Sequence, residues 1–323
     1  MINFVLNHKM NLDTIILTGL TALVLSIILN FVTNKIFISK KIIDQVNKRS
    51  SHTGTATRSG GLVIFLCLFL ISLYFYFTGY YLYDYSLLIP LAVLLTVGLY
   101  DDINDVDFKL KFIFQIIAAK ILIDNGVIID NLHGFAGIYS LNRLMAQLLT
   151  IFIVLAIINS INFIDGIDGL ASTILILFII CFEFFGISIT PYSNLSAILV
   201  ISLIPHLYFN FRKKNKIFLG DSGSLFLGGV TSIYVIHILS SEYIIKPQYD
   251  LHKIIFVFTL LAYPITDIIR VVVIRLFTGS SPFKADKNHL HHILLERLKN
   301  HFNVVIAIIL FTIVNILLIQ SIF

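Results

Sequence analysis

Long apolar runs separated by short polar connections dominate this chain of 323 residues. Most of the runs reach the length of about 17 to 25 residues that a helix needs to cross a hydrocarbon core of ~30 Å. Backbone groups in lipid must be satisfied within their own segment, so each run is predicted to be a helix. The runs lie near residues 13–33, 60–78, 86–100, 109–123, 141–158, 170–189, 195–209, 224–240, 253–277 and 302–322.

The composition favours a membrane protein over a soluble domain. Apolar residues make up 58% of the chain and charged residues 13%, whereas soluble domains carry roughly 45–50% and about 25%. No small-residue cleavage pattern follows the first run, so it is predicted to be a span rather than a signal peptide. Cys67 and Cys181 lie inside apolar runs and indicate neither a disulfide framework nor a zinc site. We predict an all-α integral membrane protein with about ten transmembrane helices, built as a single polytopic domain over 1–323.

The connections alternate in charge, which predicts the orientation in the membrane. Sixteen lysines and arginines lie in or beside one set of connections, whereas the loops of the opposite set contain only Lys9 and Lys246. The positive-inside rule assigns the basic set to the cytoplasm and both termini to the outside. The predicted cytoplasmic loops are 34–59, 101–108, 159–169, 210–223 and 278–301.

An acidic cluster follows the third run. Asp101, Asp102, Asp105 and Asp107 fall within seven residues, and their carboxylates repel one another unless a cation lies among them. Hard divalent cations such as Mg²⁺ prefer oxygen ligands of this kind. A magnesium site and a solvated acidic loop are both compatible with this cluster alone.

A second polar cluster repeats every three residues. Asn159, Asn162, Asp165 and Asp168 would form a slanted stripe on one side of a helix. The intervening glycines allow the backbone to approach a ligand closely. A helix cap followed by a turn explains one Asp and one Gly but not the whole run, so we interpret it as a binding motif.

Asp221 opens the third cluster, directly after a basic stretch and before a new apolar run. Small residues at the start of a helix expose N–H groups that suit phosphate, and the carboxylate of Asp221 would suit a metal. The alternative is an ordinary N-cap formed by Asp221 or Ser222.

Three histidines, His289, His291 and His292, lie close to Lys284 and Lys287. No cysteine completes a tetrahedral zinc site here, so we interpret the histidines as donors to an anionic ligand. A solvated loop and a transition-metal site are the alternatives.

Ionisable residues also occur in the ninth run, where they are functional candidates. Asp267 and Arg270 are three positions apart and are predicted to pair. Pro264 removes a helix hydrogen bond and is predicted to bend this run. His52 and Arg58, in the first basic loop, are weaker candidates because such loops commonly serve only to set topology.

Carboxylates suited to Mg²⁺ and cations suited to phosphate therefore share one side of the predicted bilayer. This mixture fits a metal-assisted phosphoryl transfer on a diphosphate substrate. The long apolar helices fit a lipid co-substrate that enters from the bilayer.

The motifs at 159–171 and 281–292, in order with Asp101-Asp102 and Asp221, resemble those of the polyprenyl-phosphate N-acetylhexosamine-1-phosphate transferases. That family includes the phospho-MurNAc-pentapeptide translocase, and the similarity covers roughly 47–292. In the first basic loop, Val46, Thr55 and Thr57 stand where relatives carry prolines.

The resemblance implies an enzyme of the bacterial cytoplasmic membrane that starts a surface polysaccharide such as O-antigen, lipopolysaccharide or teichoic acid. It would transfer an N-acetylhexosamine-1-phosphate from a UDP-sugar to undecaprenyl phosphate and release UMP. The implied cofactor is Mg²⁺, with Mn²⁺ as the alternative. GlcNAc is the default sugar, and QuiNAc, FucNAc, GalNAc and MurNAc-pentapeptide are alternatives. No nucleic-acid partner is expected, and a homodimer is left open.

The resemblance also implies roles for individual residues. Asp101 and Asp102 match a catalytic pair, and Asp221 and Asp101 match metal-binding positions. The residues matched to the nucleotide and sugar diphosphate are Asn159, Asn162, Asp165, Asp168, His289, His291 and His292. Further candidates are Arg58, His52, Asp105, Asp267 and Arg270.

Two other classes of protein share some of these features. A membrane prenyltransferase also combines helices with a DDxxD motif, but it would need a second aspartate-rich pair. A cation transporter would place acidic residues at mid-bilayer, whereas most of these carboxylates lie at the ends of runs, with Asp267 and Glu183 as the main exceptions.

Overall fold

The computed structural model describes residues 12–44, 55–104, 106–187, 189–240, 243–245, 252–279 and 288–322. Within these residues the chain forms twelve α-helices, which we number in chain order. They are α1 (Leu12–Ser39), α2 (Gly60–Phe77), α3 (Leu88–Asn104), α4 (Phe108–Asp124), α5 (Arg143–Ile164), α6 (Leu170–Phe185), α7 (Ser193–Asn210), α8 (Gly220–Leu239), α9 (Lys253–Leu260), α10 (Ala262–Phe277), α11 (Leu290–Leu298) and α12 (His301–Ile322).

Each of the ten predicted apolar runs is helical, which confirms the all-α membrane class. Seven helices are long and apolar enough to cross a membrane, and α9 with α10 makes an eighth if that bent pair is one span. Among the described residues this criterion therefore accepts seven or eight of the roughly ten predicted spans. The two remaining runs are short helices: α4 has 17 residues and includes three lysines, and α6 has 16 residues.

Helix α8 lies at the centre of the bundle. Every residue from 222 to 239 in it is buried, and α2, α3 and α5 pack around it. By contrast, α1 and α12 expose most of their apolar surface, as expected for helices on the lipid-facing periphery. The N-terminus of α8 is therefore held inside a ring of other helices.

Two glycines allow the backbones around the start of α8 to approach closely. A Cβ atom at Gly61 in α2 would lie 2.1 Å from the backbone nitrogen of Gly223, and one at Gly98 in α3 would lie 2.4 Å from the Cα of Ser222. Any larger side chain at either position would push these helices apart, because real Cβ atoms do not tolerate such distances.

Short strands join segments that are distant in the sequence. Strand β1 (Ala56–Thr57) pairs in parallel with β4 (Lys216–Ile217), in register Ala56 with Lys216. This pairing brings the loop before α2 to the loop before α8. A hairpin of β2 (Asn131–Phe135) and β3 (Ile138–Ser140) lies between α4 and α5, and neither pair was predicted from the sequence.

The ninth run is broken, as the proline predicted. Helices α9 and α10 meet at Leu261 with an angle of 75° between them. Pro264 occupies the first turn of α10, where a missing N–H is tolerated because no intrahelical partner is required there. The bend directs α10 towards α5, which it contacts.

Candidate active site

A polar cavity of about 470 Å³ lies where the ends of α3 and α5 meet the starts of α4, α8 and α11. It gathers side chains from sequence motifs that are up to about 190 positions apart in the chain. The charged and polar groups lining it include Asp101, Asn159, Asn162, Asp165, Asp221, His289 and His292. Seven of the residues predicted from the sequence therefore surround one cavity.

Lys111 forms ion pairs with two carboxylates of the cavity lining, those of Asp101 and Asp221. Its Nζ lies 3.0 Å from Oδ2 of Asp101 and 2.7 Å from Oδ2 of Asp221. The other oxygen of Asp101 accepts a hydrogen bond from the backbone N–H of Val106 at 2.8 Å. The ammonium group thus neutralises two acidic side chains from different helices, α3 and α8.

Asp102 has a different environment from its neighbour Asp101. Its two carboxylate oxygens accept hydrogen bonds from the backbone N–H groups of Asp221 and Ser222, each at 3.0 Å. These N–H groups belong to the first turn of α8 and have no intrahelical partner, so Asp102 supplies an N-cap from another helix. It does not belong to the cavity lining.

Gly220 makes room for this cap. Its φ of +75° is a left-handed conformation that favours glycine. A Cβ atom there would also lie 2.6 Å from Oδ2 of Asp102. The motif needs a glycine immediately before Asp221 for both reasons.

Arg58 lies behind Asp102 rather than in the cavity lining. Its guanidinium pairs with Asp44 at 2.6 Å and lies 3.8 Å from Oδ1 of Asp102. The β1–β4 pairing places it there, because β1 ends one residue before it. Arg58 therefore places a positive charge close to the acidic cluster but outside the cavity lining.

The two asparagines of the three-residue repeat are held by neighbouring helices. Asn159 donates to Oε1 of Gln115 on α4 at 2.8 Å, and Asn162 donates to the hydroxyl of Ser224 on α8 at 2.8 Å. These contacts fix both amides on the cavity wall. They also position α5 against the two helices that carry Lys111 and Asp221.

Asp165 and Asp168 have different surroundings. Asp165 lines the cavity, and burial together with the charges of Asp221 and Asp102 raises its pKa well above the usual range. Asp168 instead pairs with Lys216 at 2.5 Å and with Nδ1 of His301 at 2.9 Å. Burial opposes ionisation of Asp168, but these two partners outweigh it and lower its pKa. Asp168 therefore connects loops and does not line the cavity.

The buried carboxylate of Asp267 holds the histidine segment. It accepts a hydrogen bond from Nδ1 of His289 at 2.6 Å and another from the backbone N–H of Leu290 at 2.7 Å. The predicted pairing of Asp267 with Arg270 is wrong, since Arg270 donates to the carbonyl of Asn288 at 2.5 Å. Both residues of α10 thus anchor the same segment.

His291 is fully buried and makes a 3.0 Å hydrogen bond with the hydroxyl of Tyr263. Burial, reinforced by the nearby His292 ring, lowers the pKa of His291 to about 3. A neutral ring in this position supports the fold of the segment, whereas His289 and His292 belong to the cavity lining. Asp267, His289 and His291 also form a buried group whose ligand atoms lie within 4.8 Å of one another, but a hydrogen bond already joins the first two.

Sequence reasoning named Arg275 among the ionisable candidates of the ninth run but missed two polar residues of the lining, Lys111 and Gln115. Lys111 and Gln115 are four positions apart on α4, so they share one face of that helix. This polar pair inside an apolar run was a usable signal. Arg275 is buried at the end of α10, with its guanidinium carbon 5.9 Å from the centroid of the Phe163 ring.

The carboxylate oxygens that line the cavity are compatible with a hard divalent cation as their bound metal. Asp101 and Asp221 present carboxylate oxygens from two helices to one ammonium group, and Asp165 adds a third carboxyl group to the same lining. Oxygen ligands of this kind suit Mg²⁺. The predicted candidates His52 and Asp105 lie outside the described residues.

Comparison with known proteins shows the family of this chain. The family model for glycosyl transferase family 4 matches residues 84–239, which include α3, α5 and α8. The decaprenyl-phosphate N-acetylglucosaminephosphotransferase of Mycobacterium leprae is 30% identical, over 91% of this chain and 80% of its own length. The chain belongs to glycosyl transferase family 4. It is therefore a multi-pass membrane transferase.

Two further relatives show similar coverage. The undecaprenyl-phosphate alpha-N-acetylglucosaminyl 1-phosphate transferase of Haemophilus influenzae is 31% identical over 79% of this chain and 72% of its own length. The protein of the same name from Yersinia pestis is 27% identical over 82% and 73%. The similarity therefore extends well beyond the polar motifs and includes most of the helices.

Proposed function

We propose that this protein transfers N-acetylglucosamine 1-phosphate from a UDP-sugar to a polyprenyl phosphate, undecaprenyl phosphate by default, at the cytoplasmic side of a bacterial membrane. The product would be a polyprenyl-diphosphate sugar, and UMP would leave. One observation carries the proposal: Asp101, Asp165 and Asp221 share a cavity with His289 and Arg275. The names of the family relatives support the choice of acceptor and sugar.

The reaction fits a direct displacement. An oxygen of the lipid phosphate attacks the β-phosphorus of the UDP-sugar, and the bond from that phosphorus to the oxygen bridging it to the α-phosphate breaks. The electron pair leaves with UMP. A lipid phosphate is already largely ionised near neutral pH, so the proposal requires no strong base, and the main task of the protein is to position the groups and neutralise charge.

The residues of the chain divide this task by charge. His289, His292 and Arg275 line the cavity and would contact the diphosphate, whose negative charge the Arg275 guanidinium would balance. Mg²⁺, held by Asp101 and Asp221, would supply further neutralisation of the phosphates. Lys111, which links these two carboxylates at 3.0 and 2.7 Å, keeps them together when no metal is bound.

The test is an assay of the purified protein with undecaprenyl phosphate and a panel of UDP-sugars. We expect UMP release with UDP-GlcNAc and a lipid product heavier by one N-acetylhexosamine phosphate. Asp221→Asn should reduce turnover by at least about 10²-fold, the order found when one electrostatic group is removed from an active site. Asp124→Asn, an exposed carboxylate at the far end of α4, is the matched control and should retain activity.

The product identifies the sugar, because each UDP-sugar gives a lipid of a distinct mass or retention. UMP release without a lipid-linked sugar would contradict the proposed acceptor. Full activity of Asp221→Asn across an Mg²⁺ titration would contradict its proposed role as a metal ligand.

A further inference from the structure

A second cavity, of about 900 Å³, lies outside the candidate active site. Helices α7 and α12 each pack against α6, and the groove runs between α7 and α12. Its walls are apolar and include Leu207, Phe211, Val305, Ile306, Ile309 and Leu310. No residue lines both this groove and the active-site cavity.

One end of the groove is cationic. Arg212 and Lys213, which follow the C-cap residue Phe211 of α7, are part of its lining. The guanidinium carbon of Arg212 lies 5.3 Å from the centroid of the Phe209 ring and 5.8 Å from that of Tyr208. Among the ion pairs formed by described residues, none includes Arg212 or Lys213. The apolar walls therefore end at two positive charges without an acidic partner in the described part of the chain.

This cationic end lies on the same face of the bundle as the active site. The loop that carries Arg212 and Lys213 continues to Lys216, which pairs with Asp168, and Asp168 also pairs with His301 at the start of α12. The Phe211 ring packs on Gly169, where a Cβ atom would lie only 2.4 Å from the ring. The cationic end of the groove is therefore attached to the loop that follows α5.

We propose that this groove binds an anionic phospholipid of the surrounding membrane, with an acyl chain along the apolar walls and the phosphate at Arg212 and Lys213. The arginine offers a phosphate a planar guanidinium with several N–H donors, and the lysine offers a compact ammonium charge. Basic residues at a membrane surface attract anionic lipids. The occupant is a bulk lipid rather than the polyprenyl phosphate, because the groove and the cavity that contains Asp101 and Asp221 have separate linings.

The absence of tryptophan from the sequence makes a direct test available. Phe302→Trp places a single fluorophore on the groove wall, and Phe152→Trp places one on an exposed part of α5 as a control. Each full-length protein is reconstituted in phosphatidylcholine vesicles that contain brominated phosphatidylglycerol or brominated phosphatidylcholine at equal mole fraction. Bromine quenches tryptophan only at contact, so the ratio of quenching reports local preference for the anionic headgroup.

We expect a preference for phosphatidylglycerol of up to about 25-fold at Phe302→Trp, since two basic residues near a surface contribute about fivefold each, and no comparable preference at Phe152→Trp. Adding Arg212→Gln and Lys213→Gln should abolish it. The matched control, Lys40→Gln with Lys41→Gln, removes the same charge from exposed positions at the end of α1 and should leave the preference intact. The exchange Arg212→Lys with Lys213→Arg should also retain it, which separates loss of charge from misfolding.

Equal quenching by the two lipids at Phe302→Trp would overturn the proposal, and so would a preference that survives the double glutamine variant. A third result would overturn the choice of occupant. If unlabelled undecaprenyl phosphate at low mole fraction relieves the quenching while unlabelled phosphatidylglycerol does not, the groove belongs to the acceptor lipid. None of these measurements depends on the proposed transferase activity.

Discussion

The carboxylate of Asp267 accepts a hydrogen bond from Nδ1 of His289 at 2.6 Å, and both side chains are buried. A carboxylate can only accept such a bond, so the proton lies on Nδ1 and the ring orientation is fixed. The other ring nitrogen, Nε2, is then the atom that remains for a ligand in the cavity. Asp267 thus acts as a positioning residue through His289, without itself reaching the cavity lining.

Replacing this carboxylate by an amide keeps the shape but changes the proton arrangement at His289. We expect Asp267→Asn to lower kcat by roughly 10²- to 10⁴-fold, as happens when an aspartate that orients a catalytic histidine becomes an amide, with a smaller change in KM. Asp267→Glu should recover part of kcat. Steady-state kinetics with UDP-GlcNAc, measured over a pH series, would report both; equal kcat for the Asn and Glu variants would contradict the role.

Adjacent aspartates should respond differently to substitution. Asp102→Ala removes the cap on the first turn of α8 and should lower the free energy of unfolding by about 0.5 to 2 kcal/mol, which is typical of a lost N-cap. Asp101→Asn should lower turnover by at least about 10²-fold with a smaller effect on Tm. Thermal unfolding and UMP release should be measured on both variants. A larger loss of stability in Asp101→Asn together with a larger loss of turnover in Asp102→Ala would contradict these separate roles.

Lys111 lies between Asp101 and Asp221, so its removal leaves two carboxylates facing each other. We expect Lys111→Met to lower Tm in EDTA and Mg²⁺ to restore Tm by more than it does for the unmodified protein, because binding to the native state alone stabilises it. Lys109→Met, an exposed lysine on the same helix, is the control. The same magnesium-dependent shift in all three proteins would show that the two carboxylates do not share a cation.

Asp168 should make stability depend on pH. Its pKa is held below the ordinary value of about 3.9, so the ionised form is favoured in the folded protein. The stabilisation is therefore present above the unfolded-state pKa and is lost as the pH falls through the lower, folded-state pKa. Asp168→Asn should lower Tm at pH 7 and differ progressively less from the unmodified protein below pH ~4. A Tm difference that is constant down to pH ~3 would contradict this assignment.

Gly220 and Gly126 offer a matched pair of substitutions. Both have positive φ, +75° and +84°, but a Cβ at Gly220 would meet Asp102 at 2.6 Å, whereas one at Gly126 would meet nothing within 4 Å. Gly126→Ala should cost only the backbone strain of about 1–2 kcal/mol. Gly220→Ala should cost more and also reduce turnover, because it displaces the cap on α8. Unfolding free energies that agree between the two variants would argue against a tight fit at Gly220.

The helices were predictable because the bilayer imposes a simple rule on them. Every apolar run became a helix, and Pro264 correctly indicated the bend between α9 and α10. Length alone does not decide the number of spans, since α4 and α6, both predicted as spans, contain only 17 and 16 residues. A run buried among other helices can be shorter or more polar than one that faces lipid, and the sequence does not say which case applies.

The site was predictable as a set of motifs but not as a set of contacts. Asp101 and Asp102 are indistinguishable in the sequence, yet successive helix positions differ by about 100° in direction. One therefore points into the cavity and the other towards α8. The predicted pairing of Asp267 with Arg270 considered only neighbours on one helix, whereas their partners come from a segment about 20 residues later.

The position of α8 has a consequence for biosynthesis. A helix surrounded by protein on all sides has no lipid contacts of its own to stabilise it, so its final placement depends on α2, α3 and α5, which are made earlier. Asp221 reaches Lys111 and Asp101 only after this docking. An incompletely assembled chain therefore lacks the arrangement of Asp101, Lys111 and Asp221 that the candidate active site requires.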